Sequence, residues 1–527
     1  MTRDFHLPGR SQVYAAEGMV ATSHPLATIA ALDTLRAGGS AADAAVTAAA
    51  ALGVLEPQMT GIGGDCFCLV AKPGQPIWGY NGSGRAGAAA RAEALVGQGV
   101  STITADSVHS ITVPGAVEAW GAILKAHGRF GLDRALAPAI RYAEEGAPVA
   151  PRVAHDWANH ADAIRKDAGA SRHFLLNGRA PAAGDRMKYP ALASVLRAIA
   201  AGGPKAFYQG VPAEDIVATL GPRGSFLTQE DFARHHGDLV EPIASNYRGL
   251  DVVELPPNNQ GVAALVLLNI LERFDLAALE PSGAERLHIQ LEAARLAYAV
   301  RDTHVADPAF MRTPVPTLLD KGFARELADR IDRTKRVPLP KAPAPGSHTV
   351  LITVVDRDRT AVTLINSLFR EFGSGVATER TGVLLHNRGS GFVVDPAHPN
   401  AIGPSKRPLH TLVPALATRD GRCEMAFGVM GGHYQAMGHA HFITNMIDYG
   451  MDLQTALEYP RVFFAGEVTE VERGVSPAAI EGLRARGHDV QLRPLPFGGG
   501  QAIRIDWERG VLIGASDHRK DGCALGY

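Results

Sequence analysis

The sequence predicts an α+β protein in which stacked β-sheets are covered by helices. Three observations carry this expectation. Helical patterning opens the chain and dominates from 110 to about 332. A proline-rich break, VPLPKAPAPGS, occupies 337–347. Beyond it the texture turns to strands: TVLITVVD, TAVTLINSLF, GVLLHN, LVPALATRDGRCEMAFGVMGG and QAIRIDWERGVLIGAS, with the helix HAHFITNMIDYG between them. At 527 residues the chain accommodates two or three domains or one large layered unit.

Each element follows from local chemistry. In SHPLATIAALDTLRAGG, Ser23 is the expected N-cap, Pro25 belongs to the first turn and Gly38 terminates the helix. SAADAAVTAAAALGVLEP places Ser40 and Asp43 at capping-box spacing, and Pro57 ends the pattern. Its many alanines carry little bulk, which predicts a helix packed closely on a sheet or another helix. CFCLV reads as a short buried strand. GAERLHIQLEAARLAYAVRD reads as a long helix with His288, Glu292 and Arg295 on one stripe, expected to be a solvated or interdomain polar face. Four prolines in eleven residues exclude helix and central strand from 337–347, so an extended, exposed linker is expected up to residue 348.

Composition excludes several function classes. Hydrophobic residues make up 46% and charged residues 20%, a globular rather than a disordered profile. A net charge of −2 gives no field that draws the chain to nucleic acid or anionic lipid. The longest apolar run, AAVTAAAALGVL, is too short to span a bilayer. The opening MTRDFHLPGRSQVY has no apolar core of a secretion signal, and the four cysteines make no disulfide framework or zinc knuckle. A reduced, cytoplasmic protein is expected. The glycine clusters TGIGGDCF and PFGGGQAIRI run into strands rather than helices, so tight turns or close backbone approach fit better than phosphate binding. His439 and His441 are two apart on a helix and point about 200° from one another, a poor metal pair. No G-x-S-x-G elbow is present.

Thr349 remains, at the junction of linker and strand in PAPGSHTVLITVVDRD. As a strand-initial residue Thr needs no further explanation, because its β propensity is high. Three features also fit a nucleophile exposed by cleavage: a linker where nicking is tolerated, a hydroxyl at the tip of a buried strand, and Gly431–Gly432 ending another strand with two consecutive N–H groups for an oxyanion.

Over nearly its whole length the chain resembles the γ-glutamyltransferase (glutathione hydrolase) family of N-terminal-nucleophile hydrolases. The matching stretches include GMVATSHPLATIAALDTLRAGGSAADAAVTAAAALGVLEPQMTGIGGD, SITVPGAVEAW, LPPNNQGVAALVLLNIL, TVLITVVDRD, FGSGV, TGVLLHN, KRPLHTLVPAL, GVMGG and GASDHRKDGCALGY. The resemblance implies a four-layer αββα sandwich. It also implies a precursor that cuts itself between His348 and Thr349, giving a large subunit (1–348) and a small one (349–527) that pair. A dimer of heterodimers is an assembly it allows. It implies no metal and no cofactor.

Residue by residue, the resemblance makes Thr349 the nucleophile, Gly431 and Gly432 the oxyanion hole, and Ser367 a hydroxyl bonded to the nucleophile. Departures bear on the substrate. Ser83 stands where the family has its glutamate-binding arginine, with Arg85 two residues on. Gly391 stands in place of the aspartate that binds the α-amine. His410 and Thr411 replace a serine pair, and Phe369 an asparagine. Arg388, Asn387, His410, Thr411 and Arg85 are therefore the expected substrate contacts. The pattern is similar to the branch holding oxamate amidohydrolase and related acylases, and the expected activity is hydrolysis of a small carboxylate-bearing amide. γ-Glutamyl transfer or glutathione hydrolysis is the alternative, and an unprocessed binding protein is the second.

Overall fold

The computed structural model describes His6 and residues 9–338 and 348–527, His348 by its backbone. The expected linker thus lies outside the described residues except for Val337, Pro338 and the backbone of His348. Two seven-stranded sheets stack on one another. Four strands bear on the site: β1 (Asp65–Ala71), β2 (His348–Val355), β3 (Ala361–Phe369) and β4 (Arg422–Met430). The first sheet runs Cys523–Gly526, Met19–Thr22, β2, β3, β1, Trp78–Gly82 and Asp238–Val240. The second runs Val13–Ala15, Val511–Ser516, Gly499–Asp506, β4, Ala415–Arg419, Leu250–Glu254 and Ile243–Tyr247. Every pairing in both is antiparallel.

Five helices complete the layers used below: α1 (Pro25–Arg36), α2 (Ala41–Leu55), α3 (Gly261–Leu271), α4 (Ala284–His304) and α5 (Tyr434–Ile447). α1 and α2 pack on the first sheet, α3 and α5 on the second, and α4 packs against α3. The result is the four-layer αββα sandwich. Strands on both sides of residue 349 enter each sheet, so neither half builds a sheet alone.

The capping box of α2 forms as expected. Asp43 N donates to Ser40 Oγ at 3.2 Å and Ser40 N to the Asp43 carboxylate at 2.8 Å. All fifteen residues of α2 are buried, which its small side chains permit. Its N-terminus is tied to the β2–β3 turn, because Ala41 N donates to Asp356 Oδ2 at 2.9 Å. In α1 the cap is His24 rather than Ser23: Leu26 N donates to His24 Nδ1 at 3.2 Å. Ser23 instead gives its hydroxyl to Glu56 Oε2 at 2.6 Å, a partner 33 residues away. Packing outbid the local signal.

The stripe on α4 is a second correction. His288, Glu292 and Arg295 are buried, not solvated. Glu292 and Arg295 pair at 2.6 Å and together hold Val337, whose N–H reaches Glu292 Oε2 at 2.9 Å and whose carbonyl accepts from Arg295 Nη1 at 2.9 Å. His288 Nδ1 lies 2.8 Å from His488 Nε2. His439 and His441 do part company: His439 Nδ1 meets Glu254 at 2.8 Å, while His441 meets Gln290.

Candidate active site

Thr349, Ser367 and Asp65 form a row across three adjacent strands. Ser367 pairs with Asp65 between β3 and β1. Between β2 and β3, His348 faces Phe369 and Val350 faces Asn366. Thr349 alone therefore spans Ser367 and Leu368, a β-bulge on β3, a device that re-aims a side chain. The bulge turns Ser367 Oγ toward the Thr349 hydroxyl, 3.2 Å from Oγ1. Phe369 N donates to the same Ser367 oxygen at 2.7 Å, fixing it from behind. Gln435 Nε2, on the first turn of α5, lies 3.4 Å from Thr349 Oγ1 on the other side. Thr349 is fully buried.

Phe369 takes φ +79, the left-handed region that a bulky side chain occupies at a cost of about 1–3 kcal/mol. Asparagine tolerates that region, which accounts physically for the residue type that Phe369 displaces. What the ring supplies in exchange is a platform: the Arg388 guanidinium lies 4.0 Å over its face.

The glycine turn after β4 has φ +125 at Gly431 and +56 at Gly432. Their carbonyls accept from Tyr434 N and Gln435 N at 3.1 Å, which starts α5 and leaves the turn at the positive end of its dipole. Gly498 backs the turn so tightly that a Cβ there would come within 1.9 Å of the Met430 carbonyl. Gln260, the N-cap of α3, ties the turn to the pocket wall, since its Nε2 donates to the carbonyls of Gly432 and Thr411 at 2.8 Å each.

Arg388 is 1% exposed. Its Nη1 donates to Thr411 Oγ1 at 2.8 Å, and its Nη2 finds no acceptor among the described residues. Burial lowers its pKa to about 9, although the Asp65 charge pulls the other way. This is a buried cation with an unused donor, the state a carboxylate ligand relieves.

Three expected substrate contacts are engaged elsewhere. His410 donates from Nε2 to Asp65 Oδ2 at 3.0 Å and accepts Leu412 N at Nδ1 at 3.2 Å, so neither ring nitrogen is left for a ligand. Asn387 accepts Arg370 N at 3.2 Å and donates to the carbonyls of Ala105 and Gly373. Arg85 bonds the carbonyl of His236 at 2.8 Å and Asp238 at 3.0 Å. Thr411 serves through Arg388. In each case the competing partner is remote in sequence and enters through tertiary packing. Gly391 leaves no room for a carboxylate, because a Cβ there would lie 2.6 Å from the Leu409 carbonyl. Ser83 is buried and bonded to Asn81 at 2.7 Å.

Asp65, Gln260 and Gln435 carry geometry that sequence reading did not single out. Gln260 lies in LPPNNQGV, but no local spacing marks it. Asp65 is the electrostatic hub. Its Oδ1 accepts Gly84 N at 3.0 Å and Gly115 N at 3.1 Å, while Oδ2 accepts from His410. Burial opposes its charge, but His386, the His410 hydrogen bond and Arg388 more than offset this and hold the carboxyl well below the usual range. Its folded pKa being depressed, the stability it adds is present above the ordinary carboxylate pKa of about 3.9 and is lost as pH falls below it. Asp65→Asn is expected to cost about 3–5 kcal/mol at pH 7. Urea unfolding at pH 7 and at successively lower pH checks this: the gap from the wild-type chain must narrow below pH ~4.

Comparison with known proteins matches residues 27–527 to the family model described as gamma-glutamyltranspeptidase. The chain is 39% identical over 526 residues to the glutathione hydrolase-like YwrD proenzyme of Bacillus subtilis, covering 98% of this chain and 99% of that one. It is 37% identical over 529 residues to the oxamate amidohydrolase proenzyme of Klebsiella pneumoniae, covering 97% and 99%. The solved cephalosporin acylase from Bacillus halodurans superposes with a TM-score of 0.93 at 39% identity, covering 100% and 99%.

Proposed function

The chain belongs to the gamma-glutamyltranspeptidase family, and from that premise we propose that it cleaves itself before Thr349 and then hydrolyses small amides whose acyl group carries a carboxylate. It is an N-terminal-nucleophile amidohydrolase or acyltransferase whose two subunits come from one precursor and pair. In the continuous chain the Thr349 nitrogen is an amide and cannot accept a proton. Attack of its hydroxyl on the His348 carbonyl shifts the acyl group to oxygen, and water then releases the ester. The freed α-amine, with an ordinary pKa of about 7.7–8.0, is a base attached to the nucleophile itself. Turnover repeats the same attack on the substrate carbonyl, and the C–N bond breaks as the amine departs with the proton that the Thr349 α-amine took from its hydroxyl. Gly431 and Gly432 N–H groups receive the oxyanion, and water resolves the acyl-enzyme. Each oxyanion donor of this kind is worth about 10²–10³ in rate.

The observation that carries the substrate class is Arg388, buried over the face of Phe369, which ends β3 two residues beyond Ser367, with Nη2 unpartnered among the described residues. With no space for a carboxylate at Gly391, the pocket favours an acid over an amino acid. Oxamate is the simplest such amide. The measurement is steady-state kinetics on oxamate and on γ-glutamyl-p-nitroanilide. Turnover of oxamate is expected, and efficient turnover of the γ-glutamyl compound alone rejects the reading.

A further inference from the structure

The residue after the glycine pair is held in one orientation and one protonation state by the other half of the chain. Arg301 Nη1 donates to His433 Nδ1 at 3.1 Å. An arginine has only hydrogens to offer, so Nδ1 is an acceptor and the imidazole proton resides on Nε2. Arg301 is itself fixed: it bonds Gln260 Oε1 at 2.6 Å and Asp302 Oδ1 at 2.7 Å, and its guanidinium lies 4.4 Å over the Tyr298 ring. Tyr298 OH in turn donates to the His433 carbonyl. Arg301, Tyr298 and Gln260 precede residue 348, whereas His433 follows it.

The half-buried His433 ring stands edge-on to Phe369, with centroids 6.2 Å apart, and Phe369 is the ring whose face carries Arg388. We propose that His433 is a specificity-determining residue whose Nε2–H joins Arg388 Nη2 in binding the acyl carboxylate, an inference that rests on the substrate reading above. Burial and the facing charges of Arg301, Arg388 and Arg370 keep the imidazole well below its ordinary pKa. The donor therefore stays neutral and constant while Arg388 supplies the charge.

The test is the ratio of kcat/KM for oxamate to that for oxamide, its uncharged isostere. A hydrogen bond to a charged group is worth about tenfold to a hundredfold, so His433→Ala is expected to lower the ratio by that factor. His433→Gln places an amide nitrogen where Nε2 lies and restores most of it. A ratio unchanged in His433→Ala, or lost equally in His433→Gln, overturns the inference. The unmodified protein gives a check that needs no variant: its ratio is expected to be flat from pH 6 to 8. A ratio that climbs as pH falls through about 6.5 marks an ionising imidazole and overturns the inference. If the unmodified protein shows no preference for oxamate over oxamide, the substrate reading itself fails.

Discussion

Thr349→Ala leaves the chain as one species near its full mass of 55.7 kDa on a denaturing gel, where the unmodified protein gives two. Activity falls by about six orders of magnitude, the loss seen when a hydrolase nucleophile is removed. Two failures coincide in this variant. The hydroxyl that attacks the His348 carbonyl is gone, and without that cut the residue 349 nitrogen stays an amide, so the base is lost with the nucleophile. Thr349→Ser separates them: it keeps hydroxyl and future amine, so it must still be processed and retain activity. Amino-terminal sequencing of the smaller fragment has to begin at Thr349. Active protein without that new terminus sinks the mechanism.

Arg388→Leu lowers kcat/KM on oxamate by roughly 30-fold to several-thousand-fold, the equivalent of the ~2–5 kcal/mol lost when a buried charge partner is removed. The informative companion is thermal unfolding. Arg388 is a buried cation with one donor unpartnered among the described residues and no carboxylate bonded to it there. An apolar side chain of similar volume removes that burdened charge, so folding stability is expected to hold or rise while activity drops. A purely structural arginine gives the opposite result, with melting temperature and activity falling together.

These two residues also mark the boundary between what was legible in the sequence and what was not. Thr349 stood out as a candidate from its neighbourhood, a proline-rich stretch running into an apolar strand, and its proposed role came from the resemblance carried by stretches in a recognisable order. The capping box of Ser40 and Asp43, the buried strand containing Cys66 and Cys68, and the divergence of His439 from His441 were likewise readable. Each depends on residues a few positions apart, where helix and strand periodicities fix the geometry.

Contacts between layers were not readable. His410 looked like a substrate ligand until Asp65, 345 residues earlier, took its Nε2. Ser23 looked like a helix cap until Glu56 claimed its hydroxyl, and the α4 stripe looked solvated until Val337 and His488 closed over it. Polar side chains carry the same chemistry whether buried or exposed, and only the packing of sheets and helices decides which partner each meets. By itself, then, the sequence marked most of the elements, although GVLLHN holds only an isolated bridge at Leu384 rather than a strand, and it singled out Thr349 as the proposed nucleophile. The tertiary structure decided that Arg388 keeps an unpartnered donor among the described residues, because Asp65, the acid whose charge reaches it, is engaged by His410, Gly84 and Gly115.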